Sequence, residues 1–307
     1  MKTVVVTGGA GFIGSHLVQE LVELKQHVHI IDNLSTGSAG KVHPSAVLHV
    51  EDIRSPAALQ TIISLKPDTV FHLAAQADVQ QSISNPRLDM EINTGGTLNM
   101  LEGCRKAGVR KFIFASTSGV YGNLDKELLE ETDTAMPISF YGLSKYAAEH
   151  YIRLYGQLFD IDWTVLRFAN VYGPGQTSKG EGGVVSIFLN QLLQDKPLTI
   201  NGDGEQTRDF IYVKDVVSAL SAAQSSDSRD ILHVSTGTAT SVNRLVALLR
   251  QYHSQDIPTQ NRSARAGDIR NSCLSNDRIR SSLNWKHQFS IEEGLQETYL
   301  HFIKPVS

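Results

Sequence analysis

Tyr141 and Lys145 lie one helical turn apart in SFYGLSKYAAEH, and on a helix that spacing stacks the two side chains on one face. A free phenol titrates near about 10 and is a poor base at neutral pH, whereas an ammonium one turn away favours the phenolate and lowers that value. Upstream, the apolar run KFIFA leads into Ser116, Thr117 and Ser118, hydroxyls at the carboxyl end of an expected strand, where a substrate would lie. Y-x-x-x-K spacing also occurs in ordinary amphipathic helices. Its meaning depends on what else the chain supplies.

A cofactor cradle stands at the start of the chain. The β-branched run VVVT is followed by Gly8, Gly9, Gly11 and Gly14 and by an amphipathic segment over 15–24, which predicts a strand, a tight turn and a helix start. Glycine serves where the backbone takes positive φ, where it must lie against a phosphate, and where helix and strand pack closely; the helix N-terminus then offers free N–H groups to a pyrophosphate. Asp32 ends the next apolar run, where a carboxylate suits a ribose 2′-hydroxyl and repels a 2′-phosphate. The dinucleotide is therefore expected to be NAD rather than NADP.

These residues need a frame. Residues 33–40, rich in Ser, Gly and Asn, read as a loop over the adenosine end of the cofactor. A strand over 47–50 leads to Glu51, Asp52 and Ile53, where an acid either reaches the adenine or caps the helix over 56–65. A buried strand over 68–75 ends in Ala74 and Ala75, small enough to let its carboxyl end approach the cofactor. A long helix is expected over 88–107, with Gly95 and Gly96 marking close packing, and 122–137 reads as an acidic surface loop. Strands alternating with helices in this rhythm predict an α/β fold, a doubly wound parallel sheet with ligands at the strands' carboxyl ends.

After a sixth strand over 163–168 the composition shifts, and the glycine-rich 177–183 reads as a junction. A helix over 184–193 and a hairpin from 198–200 to 207–213 follow, with Arg208 on the second arm, then a helix at 216–223, a strand at 231–235 and a helix at 242–252. Beyond these the chain reads as irregular until 291–302. The expected division is a dinucleotide-binding domain over 1–172 and a smaller mixed α/β substrate domain over 173–307, with part of 209–240 returning to the first. Arg208, with the charged turn Arg265, Gly267 and Asp268, could supply the cations a diphosphate needs.

Composition narrows the classes. The 307 residues are 41% hydrophobic, enough for a large core, and 28 Lys plus Arg against 32 Asp plus Glu give a net charge of −4 with no basic block, so no nucleic-acid partner is expected. Cys104 and Cys273 form no C-x-x-C pair, the 11 His show no ligand spacing, and no metal is expected. Val4 to Val6 is too short for a signal or membrane segment, which leaves the cytoplasm as the expected location and no membrane partner.

TGGAGFIG with Asp32, Asn33 and Leu34, then HLAAQ at His72, STSGVYG at Ser116, YGLSK at Tyr141, FANVYGPGQ at Phe168, RDFIYVKD at Arg208 and RAGD at Arg265 together resemble the extended short-chain dehydrogenases, closest to UDP-glucose and UDP-N-acetylglucosamine 4-epimerases. The likeness spans nearly the whole chain, with its motifs in order. It implies Tyr141 as acid/base, Lys145 as its electrostatic partner and nicotinamide-ribose ligand, and Thr117 as the hydroxyl bonding the sugar oxygen, with Ser118 in support. It further implies that Phe12, Ile13, Asp32, Asn33, Asp52, Ile53, Ala74, Ala75 and Asn93 surround NAD. Asn170, Val184, Thr199, Asn201, Arg208, Arg265 and Asp268 would hold a UDP-sugar. A homodimer built on the helices at 88–107 and 141–154 is also implied.

The mechanism that resemblance implies is removal of the C4 hydride to NAD⁺ while Tyr141 takes the 4-hydroxyl proton, rotation of the 4-keto sugar, and return of the hydride to its other face. Gly119 stands just before VYG, where dehydratases and decarboxylases of the family carry an acid, which favours the epimerase branch. Ser272 aligns with a bulky tyrosine of glucose-restricted epimerases, so an N-acetyl group is expected to be tolerated. The alternatives are a UDP-glucuronate epimerase or another nucleotide-sugar oxidoreductase, and an NAD-binding regulatory protein. Retention of Tyr141, Lys145 and Thr117 weighs against the last.

Overall fold

A computed structural model describes residues 2–177, 183–227, 229–253, 256–263 and 269–303. The first half alternates strand and helix as the periodicity demands: β1 (Thr3–Thr7), α1 (Phe12–Glu23), β2 (His27–Asp32), β3 (Val47–Val50), α2 (Pro56–Leu65), β4 (Thr69–His72), the short α3 (Val79–Ser84) and α4 (Pro86–Met90), α5 (Gly96–Ala107), β5 (Lys111–Thr117), α6 (Phe140–Phe159) and β6 (Asp162–Phe168). Helix starts are fixed by side chains that accept otherwise unpaired N–H groups: Ser55 from Ala58, Asp78 from Gln80 and Gln81, Ser139 from Gly142. Ser139 thereby puts Tyr141 in the first turn of α6.

The remaining elements are β7 (Asn170–Tyr172), α7 (Val184–Leu192), β8 (Leu198–Asn201), β9 (Thr207–Tyr212), α8 (Val213–Gln224), β10 (Asp230–Val234), β11 (Ala239–Ser241), α9 (Val242–Tyr252), β12 (Thr259–Arg262), β13 (Asn271–Ser272), α10 (Asp277–Leu283) and α11 (Ile291–Ile303). Among the described residues seven strands form one sheet in the order β10-β6-β5-β4-β1-β2-β3, every pair parallel. Leu17, Val18 and Leu21 of α1 pack with Val216, Leu220 and Ala223 of α8 on one face. Ile62 of α2, Met100, Leu101 and Cys104 of α5, and Ala148 and Ile152 of α6 cover the other. A sheet buried on both faces requires strands that are apolar throughout, and Val4, Val5, Val6, Phe71, Phe112 and Phe114 have no exposed surface. The fold is a doubly wound, Rossmann-type α/β sheet, and the strand order reverses beside β1 and β4, which opens a crevice at their carboxyl ends.

Three expectations change. The long helix over 88–107 is α4 and α5 joined by a π turn at Glu91–Gly95, and a Cβ on Gly96 would overlap the Ile53 side chain, so this glycine permits close packing under the cofactor crevice. The hairpin over 198–213 does not form. β8 pairs in parallel with β12, while β9 pairs with β7, β11 and β13, because each arm buries its apolar residues against different neighbours: Leu198 and Ile200 on α7, Phe210 and Tyr212 on Tyr172. The stretch read as irregular before 291 contains β12, β13 and α10. Among the described residues no helix is long and apolar enough to cross a membrane.

Candidate active site

At the carboxyl end of β1 the chain turns sharply. Gly8 has φ +72°, and a Cβ there would stand 2.7 Å from the backbone nitrogen of Ala74, while one on Gly14 would fall on the Gly8 carbonyl oxygen. The turn that results directs the start of α1 into a cleft of about 450 Å³. Gly8, Gly11, Phe12, Ile13 and Gly14 line it, together with Asp32, Asn33, Asp52, Ile53, Ala74, Ala75, Tyr141 and Lys145. A cradle too tight for any side chain, at a helix N-terminus, is the surface a pyrophosphate requires.

The acids around this cleft are organised by hydrogen bonds. Asp32 is buried and accepts from the backbone N–H groups of Ala10 (2.9 Å) and Leu34 (2.8 Å), which fixes its carboxylate against the glycine turn. Asp52 accepts from both ends of the Arg54 guanidinium at 2.8 Å and from Asn33 Nδ2 at 3.0 Å, and the Arg54 bonds hold its carboxyl well below the usual carboxylate range. Helix α2 takes its cap from Ser55. Asp52 therefore belongs to the cleft wall.

At the other end of the cleft, Lys145 is buried, with Nζ donating to the Ala115 carbonyl at 2.9 Å and lying 4.6 Å from the centre of the Phe114 ring. Its ammonium is thus anchored on β5 one helical turn from Tyr141, and Ala115 and Ser116 of the same strand line the cleft. Thr117 and Ser118 follow at the strand's end, outside the lining set, with the Thr117 hydroxyl accepting from Gly119 N–H at 3.0 Å. Ser116 donates to Glu149 at 2.5 Å, and Glu149 is held by Arg167 through bonds of 3.0 and 2.6 Å. Arg167 also donates to the Tyr121 hydroxyl at 2.7 Å. This buried network ties Ser116 in the cleft wall, through Glu149 of α6, to Arg167 of β6.

His72 occupies the position between Thr7 and Thr97. Thr97 donates its proton to the Asn93 carbonyl at 2.5 Å, so it accepts from His72 Nε2–H at 3.0 Å, which leaves Nδ1 to accept from Thr7 at 2.8 Å. Burial, and then the nearby Lys145 charge, pushes the imidazole down to about 3, so the ring is neutral. Asn93, expected on the cofactor, is not in the cleft wall. Its side chain accepts from Gln76 N–H at 2.8 Å and donates toward Gln76 O, Asp89 and Ser144, so every polar atom of it is used within the protein, and it acts by shaping the 73–78 segment that does line the cleft.

A second cleft of about 350 Å³ opens beyond β6, where Phe168 borders the first cleft and Asn170 the second. Asn170, Val184, Thr199, Asn201 and Arg208 line it together. Arg208 donates to the carbonyl of Thr207 at 2.7 Å. Arg265 and Asp268 lie outside the described residues. Ser272, buried on β13 opposite Arg208, is not part of this wall.

Several lining residues escape the motifs. Ile187, Phe188 and Gln191 follow Val184 at helical spacing, so the periodicity of α7 was a signal for them. Gln206 and Arg262 carried none, since Arg262 reaches the cleft only because β12 pairs with β8 and sets it opposite Asn201. Arg54 and Gln81 in the first cleft were likewise unmarked, whereas Gln76 closes the HLAAQ motif.

Comparison with known proteins bears on this arrangement. Residues 4–234 match the family model of the NAD dependent epimerase/dehydratase family. The crystal structure of a UDP-glucose 4-epimerase with UDP-glucose from Thermotoga maritima is 41% identical, with TM-score 0.95 over 98% of both chains. The UDP-glucose 4-epimerase of Thermus thermophilus in complex with NAD is 38% identical, with TM-score 0.94 over 99% of this chain and 100% of that one. The UDP-N-acetylglucosamine 4-epimerase of Methanobrevibacter ruminantium in complex with UDP-N-acetylmuramic acid is 33% identical, with TM-score 0.94 over 98% of both. A sheet crevice with a pyrophosphate cradle and a buried lysine one helical turn from a tyrosine, matched over nearly the whole length by these enzymes, leads to one conclusion: the chain is an NAD-dependent enzyme belonging to the NAD dependent epimerase/dehydratase family.

Proposed function

We propose that this enzyme is a UDP-sugar 4-epimerase that interconverts the gluco and galacto forms of UDP-hexoses, with the N-acetylhexosamine pair also accepted. The observation that carries the reading is the Lys145 ammonium, anchored on the Ala115 carbonyl in the same cleft wall as Tyr141, in a chain that runs from Phe168 in that cleft to Asn170 in a second cleft lined by Arg208. When bound in the first cleft, NAD would supply a reversible hydride acceptor, so that no net oxidation results.

The chain's own residues do the rest. The buried positive charge one turn from Tyr141 favours its phenolate, which takes the 4-hydroxyl proton as the C4 carbonyl forms and gives it back when the alcohol is restored. Thr117, at the end of β5, donates to the sugar's C4 oxygen. Arg208 pairs with the diphosphate, with Arg265 in support, while Thr199 and Asn201 border the nucleoside. Gly119 offers no acid for elimination or decarboxylation, so the keto sugar is reduced rather than processed further.

The test is to incubate purified protein separately with UDP-glucose, UDP-N-acetylglucosamine and UDP-glucuronate, without added NAD, and to follow products by NMR. Interconversion of gluco and galacto forms of the first two is expected. No change in either, with UDP-glucuronate epimerised, would replace this reading with that of a uronate epimerase. Bound NAD with no sugar converted would favour a regulatory NAD-binding protein.

A further inference from the structure

Two side chains of the cofactor-binding half reach consecutive carbonyls of the segment that leads out of it. His16, on α1 directly after the glycine turn, places Nε2 2.9 Å from the Pro174 oxygen, and Lys41 places Nζ 2.9 Å from the Gly175 oxygen. A carbonyl only accepts, so the His16 proton is on Nε2. Gly175 presents its carbonyl from a backbone with φ +82°, and Gln176 Nε2 holds the same segment to the Val171 oxygen at 3.1 Å. Ser186 of α7, the helix that borders the second cleft, donates to Thr177 O at 3.2 Å.

Lys41 ends the segment 33–41, whose Ser35 and Thr36 line the first cleft. The segment is fixed at its start by Asp32 accepting from Leu34 and in its middle by Ser38 N–H donating to Ala10 O at 3.1 Å, both within the cofactor-binding half. Lys41 makes the crossing bond at its far end. Lifting 33–41 off the glycine turn, or moving α1 away from 173–177, breaks one of these two bonds, and one of them carries a full charge.

We propose that Lys41, at the end of the segment covering the pyrophosphate site, and His16, on the helix that follows the glycine turn, are positioning residues that fasten these two elements to the 173–177 segment and thereby make NAD release slow. Neither touches the reacting atoms. The proposal explains how a cofactor that must remain through turnover is retained by a loop of small polar residues that buries little apolar surface of its own.

It rests on the NAD-binding reading of the first cleft, and the experiment separates the two. NAD-loaded wild type, Lys41→Met, His16→Phe and the double variant are mixed with excess isotopically labelled NAD, and exchange is followed by mass spectrometry. Lys41→Met keeps the aliphatic stem without a donor, and Lys41→Arg restores one. Exchange about tenfold faster in Lys41→Met, which corresponds to ~1.4 kcal/mol, faster again in the double variant and near wild type in Lys41→Arg is expected, with the melting temperature of the NAD-free proteins unchanged. Wild-type exchange rates in the double variant, or no recovery in Lys41→Arg, would overturn the proposal. A wild type that takes up no NAD would instead overturn the reading of the cleft.

Discussion

Lys145 is an ammonium with almost no solvent around it, held by the Ala115 carbonyl and lying over the Phe114 ring, and such a charge acts strongly on its neighbours because little water screens it. Tyr141 is the neighbour that faces the cleft. Tyr141→Phe keeps the ring and deletes the oxygen that carries the proton, so turnover of the accepted UDP-sugar is expected to fall roughly 10²–10⁴-fold, with the NAD content of the purified protein unchanged. Steady-state rates and the absorbance of released cofactor check both halves; wild-type turnover in the variant would remove Tyr141 from the acid/base role. At this scale the sequence was informative wherever chemistry is local. Tyr141 and Lys145 are neighbours on any helix, and Gly8 and Gly14 are required by any strand–turn–helix of this tightness. Asn93 shows the opposite case: its amide is saturated by Gln76, Asp89 and Ser144, partners no local pattern announces.

Helix α6 carries two apolar faces, although covering the sheet needs only one. Ala148 and Ile152 pack inward, while Phe140, Leu143, Tyr151, Leu154 and Leu158, at helical spacings of three, four or eight residues, share the outer side and are at least 41% exposed. A continuous stripe of this kind is suited to a second copy of the helix. A homodimer through α6 is therefore the proposed assembly, and sedimentation should give twice the chain mass for the wild type and a monomer for Leu154→Glu combined with Leu158→Glu. A monomeric wild type would refute it. The elements that follow 170 were the least legible. β8 and β9 each carried a strand pattern, yet the short connection between them suggested a hairpin, and only the distant partners β12 and β7 explain where each arm goes.

Across the whole molecule, folding buries neutral histidines. Burial is the leading cause that pushes both His72 and His233 down to about 3, from about 6.5 in an unfolded chain. The unfolded state then binds the extra protons, so stability is complete above about pH 6.5 and declines as the pH falls toward 3, by up to ~1.4 kcal/mol per pH unit for each group. Urea denaturation between pH 6.5 and 5.5 should show this decline, and His72→Asn, which keeps one donor and one acceptor between Thr7 and Thr97, should lessen the slope by up to one proton's share. An identical slope in wild type and variant would mean that His72 is protonated in the folded protein or solvated in it.

By itself the sequence determined the parts whose physics is settled within a few residues of the chain: the glycine turn, the stacked Tyr141 and Lys145, the alternation of buried strands and helices, and the acid at Asp32. These follow from backbone sterics, helical period and burial on two faces, which act at short range. The tertiary structure decided what depends on strands far apart in sequence finding each other. It decided that Arg262 stands opposite Asn201 in the second cleft, that Asn93 shapes the 73–78 segment, and that Lys41 reaches the Gly175 carbonyl. Each of these is a contact between surfaces selected by packing, and no single segment encodes its partner.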